Sequence, residues 1–572
     1  MTTHTTAKRL LATAAIATLV FSGCGKADNS NSGSGGASDE ALAANVNDVN
    51  PKDAKDVGQG GTLRLANNAY PANWNVWHTD GNEKNTKDIG YAIFPTLYLY
   101  TADGKIEPNP LYTKRIEKTS DKPLTMEIEL NPDMKWSDGT PIDYKSIENV
   151  FRVMSGKDKA YQIASSSGYD QVEKIEKGGN EYTAKVTFKT QYADWMALAD
   201  VMPDALAKDA NTFNTGWIKK PLVTGGPFKI EKADEGNKTV SIVPDPAWKG
   251  EKPKLNKVLW TTIESPPATA TSYKNGQLDQ AETSVPATYT VLKDLVGKGS
   301  VLRKAAGPDW THITLNGAKG RPLADVKVRQ AVQRAMNRDD IFQSVNAVMP
   351  YPKGMPQQNN HLLVTNQDGY KDNSGDFGKY DVEAAKKLLT EAGYTMTDGK
   401  AMKDGKQLTI TYVYNDGSKT NEAVVPVVQE ELKAVGINMQ VSKVPPTDLF
   451  SKYVIPGNFD LTLFGWNGNP VLSSGDAIWK EKGEQNFGKI GSPEVDKLLG
   501  DAAVELDATK RYDLMNQADA KLWELAGTIP LWQSYDFYVQ HPDIANYGAP
   551  GFANIPDWTK VGYVTGSKKL DS

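Results

Sequence analysis

The sequence predicts a mixed α/β protein that is too large for a single hydrophobic core. The chain has 572 residues, of which 39% are hydrophobic, and cores of one domain stop growing well below this length. Apolar and polar residues alternate over 124–130, which is typical of a half-buried strand. Apolar residues recur at helical spacing over 328–335, so strands and helices are both expected.

The N-terminal residues have the layout of a secretory signal peptide. Lys8 and Arg9 form a short basic region, a 12-residue apolar stretch follows over 10–21, and small residues precede position 24. An uncleaved membrane anchor is the alternative, but a spanning helix needs about 20 apolar residues. We therefore expect residues 1–23 to be a cleaved signal peptide and the protein to be exported.

Cys24 is the only cysteine of the chain, so no disulfide can form within it. The segment 20–24, VFSGC, resembles the lipobox of bacterial lipoproteins, with Phe21 in the place of the usual leucine. The resemblance implies lipidation of Cys24 and a location on the extracytoplasmic face of the cell membrane. Several acyl chains would anchor firmly, because each buried methylene contributes about 0.8 kcal/mol.

The residues after Cys24 differ in composition from the rest of the chain. Over 24–60 the sequence is rich in Gly, Ser, Asn, Asp and Ala and has almost no large apolar residue. Such a composition cannot bury enough surface to fold. We therefore predict a lipidated, flexible tether over 24–60, followed by the folded body.

The first half of the body contains strands and a turn. The alternating stretches 124–130 and 182–188 predict two half-buried strands. The dipeptide 138–139, Asp-Gly, predicts a turn between ordered segments.

The second half of the body contains helices that lead into strands. Asp381 is a suitable N-cap for a helix whose apolar residues point inward, and Gly393 is expected to end it. A further helix is predicted from about Val424 to Gly436, with a strand following over 437–441.

Motifs of catalysis and metal binding are missing from the sequence. It has no G-x-S-x-G elbow and no phosphate-binding loop. The five histidines are far apart, with no pair at the spacing of metal ligands. With 65 basic and 70 acidic residues, nucleic acid is not an expected partner. We expect no enzyme, no cofactor and no metal, although a pair of glycosidase carboxylates stays open.

Several segments carry a family resemblance in a fixed order. They are 124–151 with its core KWSDGTP, 223–228 (VTGGPF), 273–279 (YKNGQLD), 326–339 (VKVRQAVQRAMNRD), 380–394 (YDVEAAKKLLTEAGY), 457–460 (GNFD) and 465–466 (GW). Together they resemble the family 5 extracellular solute-binding proteins, the oligopeptide- and dipeptide-binding components of ABC importers.

The resemblance implies a two-lobed, periplasmic-binding-protein-like fold of type II, in the large peptide-binding class. Lobe I is expected at 61–103, 220–308 and 537–572, an extra α+β domain at 104–219, and lobe II at 309–536. Two hinge crossovers, 310–316 and 529–533, would join the lobes. The ligand would lie in the cleft, and the lobes would close over it by hinge motion.

The resemblance also places a ligand site around Trp466, with Gly465 and Asn467 beside it. Peptide-binding members carry an aspartate shortly after this tryptophan, where it pairs with the α-amino group of the peptide. The matching residue here is Asn469, which lacks the charge that roughly doubles the strength of such a bond. Asp476 is a candidate to supply that charge.

Four further residues are candidate ligand contacts. By alignment Asn82 and Asn85 would line the first lobe, while Trp310 would stand at the hinge and Trp532 near the cleft. Core packing is the alternative for each tryptophan, because large aromatic residues are usually buried.

We therefore predict a lipid-anchored, monomeric substrate-binding component of an ABC importer. It would capture short peptides or peptide-like solutes and deliver them to permease subunits. Two alternatives stay open. One is a non-peptide ligand such as an oligosaccharide or haem, and the other is a secreted enzyme or an envelope-regulating lipoprotein of the same fold.

Overall fold

A computed structural model describes residues 47–353, 355, 357–468 and 470–571. The predicted signal peptide, Cys24 and Asn469 lie outside the described residues. The names lobe I, extra domain and lobe II denote the residue ranges predicted above.

Strands and helices alternate throughout the described part of the chain. The strands are Thr62–Asn67, Tyr98–Tyr100, Ile106–Pro108, Thr113–Asp121, Leu124–Leu130, Val172–Lys177, Thr183–Phe188, Phe228–Asp234, Thr239–Pro244, Lys257–Thr262, Gln280–Glu282, Val301–Leu315, Thr395–Thr397, Lys400–Lys403, Lys406–Gln407, Thr409–Asn415, Asn438–Val444, Leu461–Trp466, Thr528–Gln540, Ile544–Ala545 and Gly562–Tyr563. The α-helices are Lys84–Ile93, Tyr144–Met154, Asp204–Ala207, Ala210–Thr215, Pro266–Lys274, Pro286–Leu292, Val326–Ala335, Arg338–Asn346, Val382–Glu391, Lys419–Ala434, Asp476–Trp479, Pro493–Val504 and Ala508–Leu525. None of these helices is long and apolar enough to cross a membrane.

Lobe I and the extra domain each contain a four-stranded sheet. In lobe I the order is Thr62–Asn67, Lys257–Thr262, Thr239–Pro244 and Phe228–Asp234. In the extra domain it is Thr113–Asp121, Leu124–Leu130, Thr183–Phe188 and Val172–Lys177, all antiparallel. Apolar side chains from both regions form one continuous core that includes Leu63, Trp260, Ile128 and Val186. The extra domain is therefore packed as part of the same body as lobe I.

A six-stranded sheet links this body to lobe II. Its order is Gln280–Glu282, Thr528–Gln540, Val301–Leu315, Leu461–Trp466, Thr409–Asn415 and Asn438–Val444. The two long strands, Val301–Leu315 and Thr528–Gln540, pair antiparallel along their length, with a break in register between Ala306 and Trp310. The predicted crossovers 310–316 and 529–533 lie largely on the lobe II side of this break.

Lobe II has a hydrophobic core of its own. It contains Val328, Leu389, Ile410 and Val428, all of which are fully or almost fully buried. A smaller apolar cluster joins the two lobes, with Ala270 and Leu302 from lobe I packed with Met349 and Tyr535 from lobe II.

The local predictions in the first half of the body are confirmed. The stretch 124–130 is a strand in which Leu124, Met126, Ile128 and Leu130 are buried. The second predicted strand begins at Thr183, one residue later than expected.

The local predictions in the second half are also confirmed, with one shifted start. The Asp381 carboxylate accepts a 2.9 Å hydrogen bond from the backbone N–H of Ala384 and caps the helix Val382–Glu391. Gly393 follows that helix with a positive φ of 88°. The next helix begins at Lys419, five residues before the predicted start, because Ser418 caps it there.

The predicted end of the tether at residue 60 needs correction. Asp48 forms an ion pair of 3.0 Å with Arg303, and its backbone pairs with Ala549. Val57 is buried and its backbone pairs with Val564. Residues 47–60 are therefore part of the folded body, because they add backbone pairing to its C-terminal segment although their composition is polar.

Candidate functional site

The two lobes meet at a direct contact between the extra domain and lobe II. The Asp194 carboxylate accepts hydrogen bonds of 2.8 and 2.7 Å from the two terminal nitrogens of Arg511. It also accepts one of 2.9 Å from the backbone N–H of Ser473, whose hydroxyl lies 3.1 Å from the Tyr192 hydroxyl. The extra domain and lobe II are therefore held together at this edge by buried polar contacts.

The helix Lys84–Ile93 lies in lobe I. Glu83 caps it by accepting hydrogen bonds of 3.0 and 2.8 Å from the backbone N–H groups of Asn85 and Thr86. These bonds outweigh burial and lower the pKa of Glu83. The helix ends at Phe94, since Pro95 disfavours helical backbone in the residue before it. Two cavities lie on its two sides.

The first cavity, called the tyrosine cavity here, has a volume of about 290 Å³ and lies between the helix and the extra domain. Its aromatic lining is Trp77, Tyr91, Phe94, Tyr98, Tyr100 and Tyr169, and its polar lining includes Asn82, Lys87, Ser165, Ser167 and Asp200. The rings of Tyr98 and Tyr100 lie 5.5 Å apart at 63°. Burial raises the pKa of Tyr100, a hydrogen bond with Tyr98 lowers it, and the charge of Asp194 raises it.

Asp200 is the carboxylate of the tyrosine cavity. One oxygen accepts a 2.6 Å hydrogen bond from the indole N–H of Trp77, and the other accepts a 2.7 Å bond from the backbone N–H of Val201. Burial raises the pKa of Asp200 to about 6 against these two bonds and the more distant charge of Lys87. Burial also lowers the pKa of Lys87.

The second cavity, called the charged cavity here, has a volume of about 270 Å³ and lies on the other side of the helix. Its lining includes Lys84, Asp88, Glu264, Glu282, Thr288, Tyr538 and Tyr547. Lys84 pairs with Asp88 at 2.7 Å. Burial disfavours the charged Lys84, but Asp88, Tyr538 and Glu282 outweigh this and raise its pKa. The two cavities together are lined by four carboxylates and two lysines, so acidic groups outnumber basic ones in their lining.

Two more carboxylates lie at the break in the long strands. Asp309 accepts a 3.0 Å hydrogen bond from the backbone N–H of Gly468, and Asp536 accepts one of 2.9 Å from Gly551. Burial raises the pKa of Asp309 to about 6. Burial, Glu282 and Asp309 together raise that of Asp536 to about 7. Two buried carboxyl groups with raised pKa values therefore lie at this break.

The structure brings Trp466, Gly465 and Trp310 together. Trp466 and Trp310 are paired across neighbouring strands, and Gly465 pairs with Thr311. The Trp466 ring stacks on His312, with centroids 5.4 Å apart and planes at 9°. It lines a cavity of only about 30 Å³ within lobe II, and no described residue accepts a hydrogen bond from its indole N–H. Trp310 is buried against Trp479.

The remaining predicted residues are more scattered. Asn467 is exposed beside Trp466, and Asp476 pairs with Lys480 at 2.5 Å in lobe II. Asn82 lies at the wall of the tyrosine cavity. Asn85 is buried and donates to the Asn68 side chain at 2.8 Å, which fixes the loop before the helix. Trp532 is buried in the core of lobe II, so packing is the role that its surroundings support.

The sequence reasoning missed the residues that line the two large cavities. A signal existed for some of them. Lys84 and Asp88 have the i, i+4 spacing of a helical ion pair, and Tyr98 and Tyr100 alternate on a short strand. Nothing local distinguishes Asp200 or Glu282 from other acidic residues. In the part of the chain that the structure describes, no three His, Cys, Asp or Glu side chains are arranged so that they could hold one metal ion.

The chain is similar to known proteins in both sequence and fold. The family model described as bacterial extracellular solute-binding proteins, family 5 Middle, matches residues 107–485. The oligopeptide-binding protein OppA of Mycobacterium tuberculosis is 32% identical over 562 residues, which cover 97% of this chain and 93% of that protein.

Two solved structures share the fold. The periplasmic EDTA-binding protein EppA superposes with a TM-score of 0.82 at 23% identity, covering 91% of this chain and 99% of that one. The oligopeptide-binding protein AppA from Bacillus subtilis, in complex with a nonapeptide, has a TM-score of 0.73 at 20% identity and covers 89% and 100%. The two-lobed fold predicted from the sequence is confirmed.

Proposed function

The chain belongs to the bacterial extracellular solute-binding proteins of family 5, and from that membership we propose that it captures short peptides or peptide-like solutes for an ABC importer. The observation that carries the proposal is the 32% identity to an oligopeptide-binding protein over nearly the whole of both chains. The relatives are solute-binding proteins, so binding without chemical conversion is the proposed activity.

The cleft suits an extended ligand with several different groups. We place parts of the ligand in the tyrosine and charged cavities beside the helix Lys84–Ile93, each of which has room for a side chain and water. Wet pockets of this kind tolerate variety, because bridging waters adapt to different groups. Closure at Asp194 and Arg511 would hold such a ligand until the permease receives it.

The proposed working position is the extracytoplasmic face of the membrane. The lipobox-like segment that ends at Cys24 supports lipid anchoring. The polar stretch after Cys24 supports a tether that keeps the receptor near its permease. Anchoring is tested by Cys24→Ser, which should release the protein from the membrane fraction. A variant that stays with the membrane in the same amount would contradict the anchor.

A second candidate ligand class is a non-peptide solute. Asn469 favours it, because an asparagine cannot supply the charge that peptide-binding relatives use for the α-amino group. If peptides bind there, Asn469→Asp should strengthen the binding of peptides with a free α-amino group more than that of their N-acetylated forms. An equal gain for both forms would remove the proposed amine contact.

The main test is the identity of the ligand. The full chain should be purified under mild conditions and denatured, and the released molecules should be analysed by mass spectrometry. We expect short peptides, and calorimetry should show that synthetic peptides of the same length bind. Released oligosaccharide or haem, with no peptide binding, would replace the proposal by the second candidate. Appearance of reaction product during incubation would refute binding without conversion.

A further inference from the structure

We propose that the tyrosine cavity binds a cationic group of the ligand, a guanidinium or an alkylammonium, with Asp200 as its counter-ion. For a peptide this group would be the side chain of arginine or lysine. The inference deepens the proposed capture of peptides and rests on it for the kind of ligand, but the cavity can be tested on its own.

The first argument is the shape of the cavity and its lining. Tyrosines from three elements converge on it: Tyr91 from the helix, Tyr98 from the short strand Tyr98–Tyr100, and Tyr169 from the extra domain. The volume of about 290 Å³ far exceeds the roughly 10–15 Å³ that one water needs. Aromatic rings around a cation attract it through their negative faces, and the attraction grows when water is excluded.

The second argument is the incomplete pairing of Asp200. A carboxylate has about four acceptor positions, and Asp200 uses two of them for the neutral donors of Trp77 and Val201. Among the described residues, no lysine, arginine or histidine nitrogen pairs with it within 4.0 Å. A largely buried carboxylate without a cation is costly, so a bound cation would be favoured there.

The other classes of ligand group fit the cavity less well. An anion would be repelled by Asp200, and Lys87 is the one cationic side chain among the described residues of the lining. A neutral apolar group would displace water from Asp200 without replacing its hydrogen bonds, which leaves the carboxylate unpaired. The neighbouring charged cavity adds three carboxylates against one lysine, which favours positive charge on this side of the molecule.

The direct probe is ethylguanidinium, with ethylurea as its neutral counterpart of nearly the same shape. Binding to the purified full chain is measured by ligand-observed NMR. We expect ethylguanidinium to bind and ethylurea to bind at least about tenfold more weakly, as for loss of a charged hydrogen bond. Asp200→Asn should remove the difference. Asp133→Asn, which removes one exposed carboxylate of the same extra domain, should leave it unchanged.

A second variant tests the same contact in the opposite direction. Lys87→Gln removes the cation that competes for Asp200, so ethylguanidinium should bind more tightly than to the wild type. This gain cannot come from misfolding. Equal binding of the two probes to the wild type, or the same preference in Asp200→Asn, would overturn the inference.

Peptide pairs separate this inference from the proposed function. Each pair differs only by arginine or its neutral analogue citrulline at one position. We expect one position at which arginine binds about tenfold or more tightly, and only while Asp200 is present. If peptides bind with no such position, the inference fails and the proposed function stands. If no peptide binds but ethylguanidinium still depends on Asp200, the proposed function fails and the cation site stands.

Discussion

Asp194 and Arg511 form a two-point ion pair across the cleft, with hydrogen bonds of 2.8 and 2.7 Å and side chains that are only 5% and 11% exposed. Asp194 belongs to the extra domain and Arg511 to lobe II, so separation of these two regions would break the pair. Removing one partner of a buried pair is strongly destabilising, because the other charge stays buried and unpaired.

Asp194→Asn should therefore weaken closure, by about 3–5 kcal/mol if Arg511 stays buried. The measurement is small-angle scattering with saturating ligand, together with ligand affinity. We expect a larger radius of gyration and weaker binding. Asp501→Asn is the matched control, since Asp501 pairs with Lys497 on the surface of lobe II. Unchanged closure and affinity in Asp194→Asn would show that the pair does not hold the closed form.

The interlobe pair should also set an acid limit to closure. Burial disfavours the charged Asp194, but the bonds from Arg511 and Ser473 outweigh it and lower its pKa. A lowered pKa means that the contribution to closure is complete above about 3.8 and is lost as the pH falls through the pKa of the closed form. Scattering curves with ligand should therefore be the same at pH 5 and pH 7. Opening of the wild type already at pH 5 would contradict this assignment.

Asp536 should make the protein less stable as the pH rises. Its pKa is raised from 3.8 to about 7, so the folded state binds a proton that the unfolded state has released. Stability therefore falls between pH 4 and pH 7. Asp536→Asn should remove a loss of about 1–3 kcal/mol. The loss is measured from the thermal unfolding midpoints at pH 5 and pH 8. The midpoint of the wild type should fall more between these pH values than that of Asp536→Asn. If the midpoint changes equally with pH in the two proteins, Asp536 is not the cause of the pH dependence.

Trp466 and Trp532 allow a matched test of ligand contact against packing. Both lie in the six-stranded sheet, but Trp532 is in the core of lobe II, whereas Trp466 is partly exposed beside the break in the long strands. Trp466→Ala should weaken ligand capture by about 2 kcal/mol or more, as interface tryptophans do. Trp466→Phe should weaken it less, and Trp532→Phe should leave it unchanged. Equal affinities of the wild type and Trp466→Ala would remove Trp466 from the site.

Features of the fold and of the site can be predicted from the sequence when they depend on residues that are close together in the chain. The strand Leu124–Leu130 and the cap at Asp381 follow from neighbours a few residues away. The charged cavity does not, because Lys84, Glu282 and Tyr538 come from three distant elements. Trp532 looks like a cleft residue in the sequence but is buried, since only the sheet decides which face of the strand points inward.

Asp200 should make the capture of cations depend on pH. A bound cation favours the ionised carboxylate, so binding releases a proton wherever Asp200 is protonated in the free protein. Because the pKa of Asp200 is raised to about 6, affinity for ethylguanidinium should be constant above pH 7. Below pH 6 it should fall by up to about tenfold per pH unit.

The groups around Asp200 determine how the pH dependence of ethylguanidinium binding should change in variants. Burial raises the pKa of Tyr98 and Tyr169, so both stay neutral over this range. Lys87 favours the ionised Asp200, so Lys87→Gln should move the midpoint of the profile to higher pH. Asp200→Asn should abolish the profile, and Asp133→Asn should keep it. A wild-type affinity that is flat from pH 5 to pH 7 would mean that Asp200 is not the counter-ion, because no other described group of the tyrosine cavity has a raised carboxyl pKa.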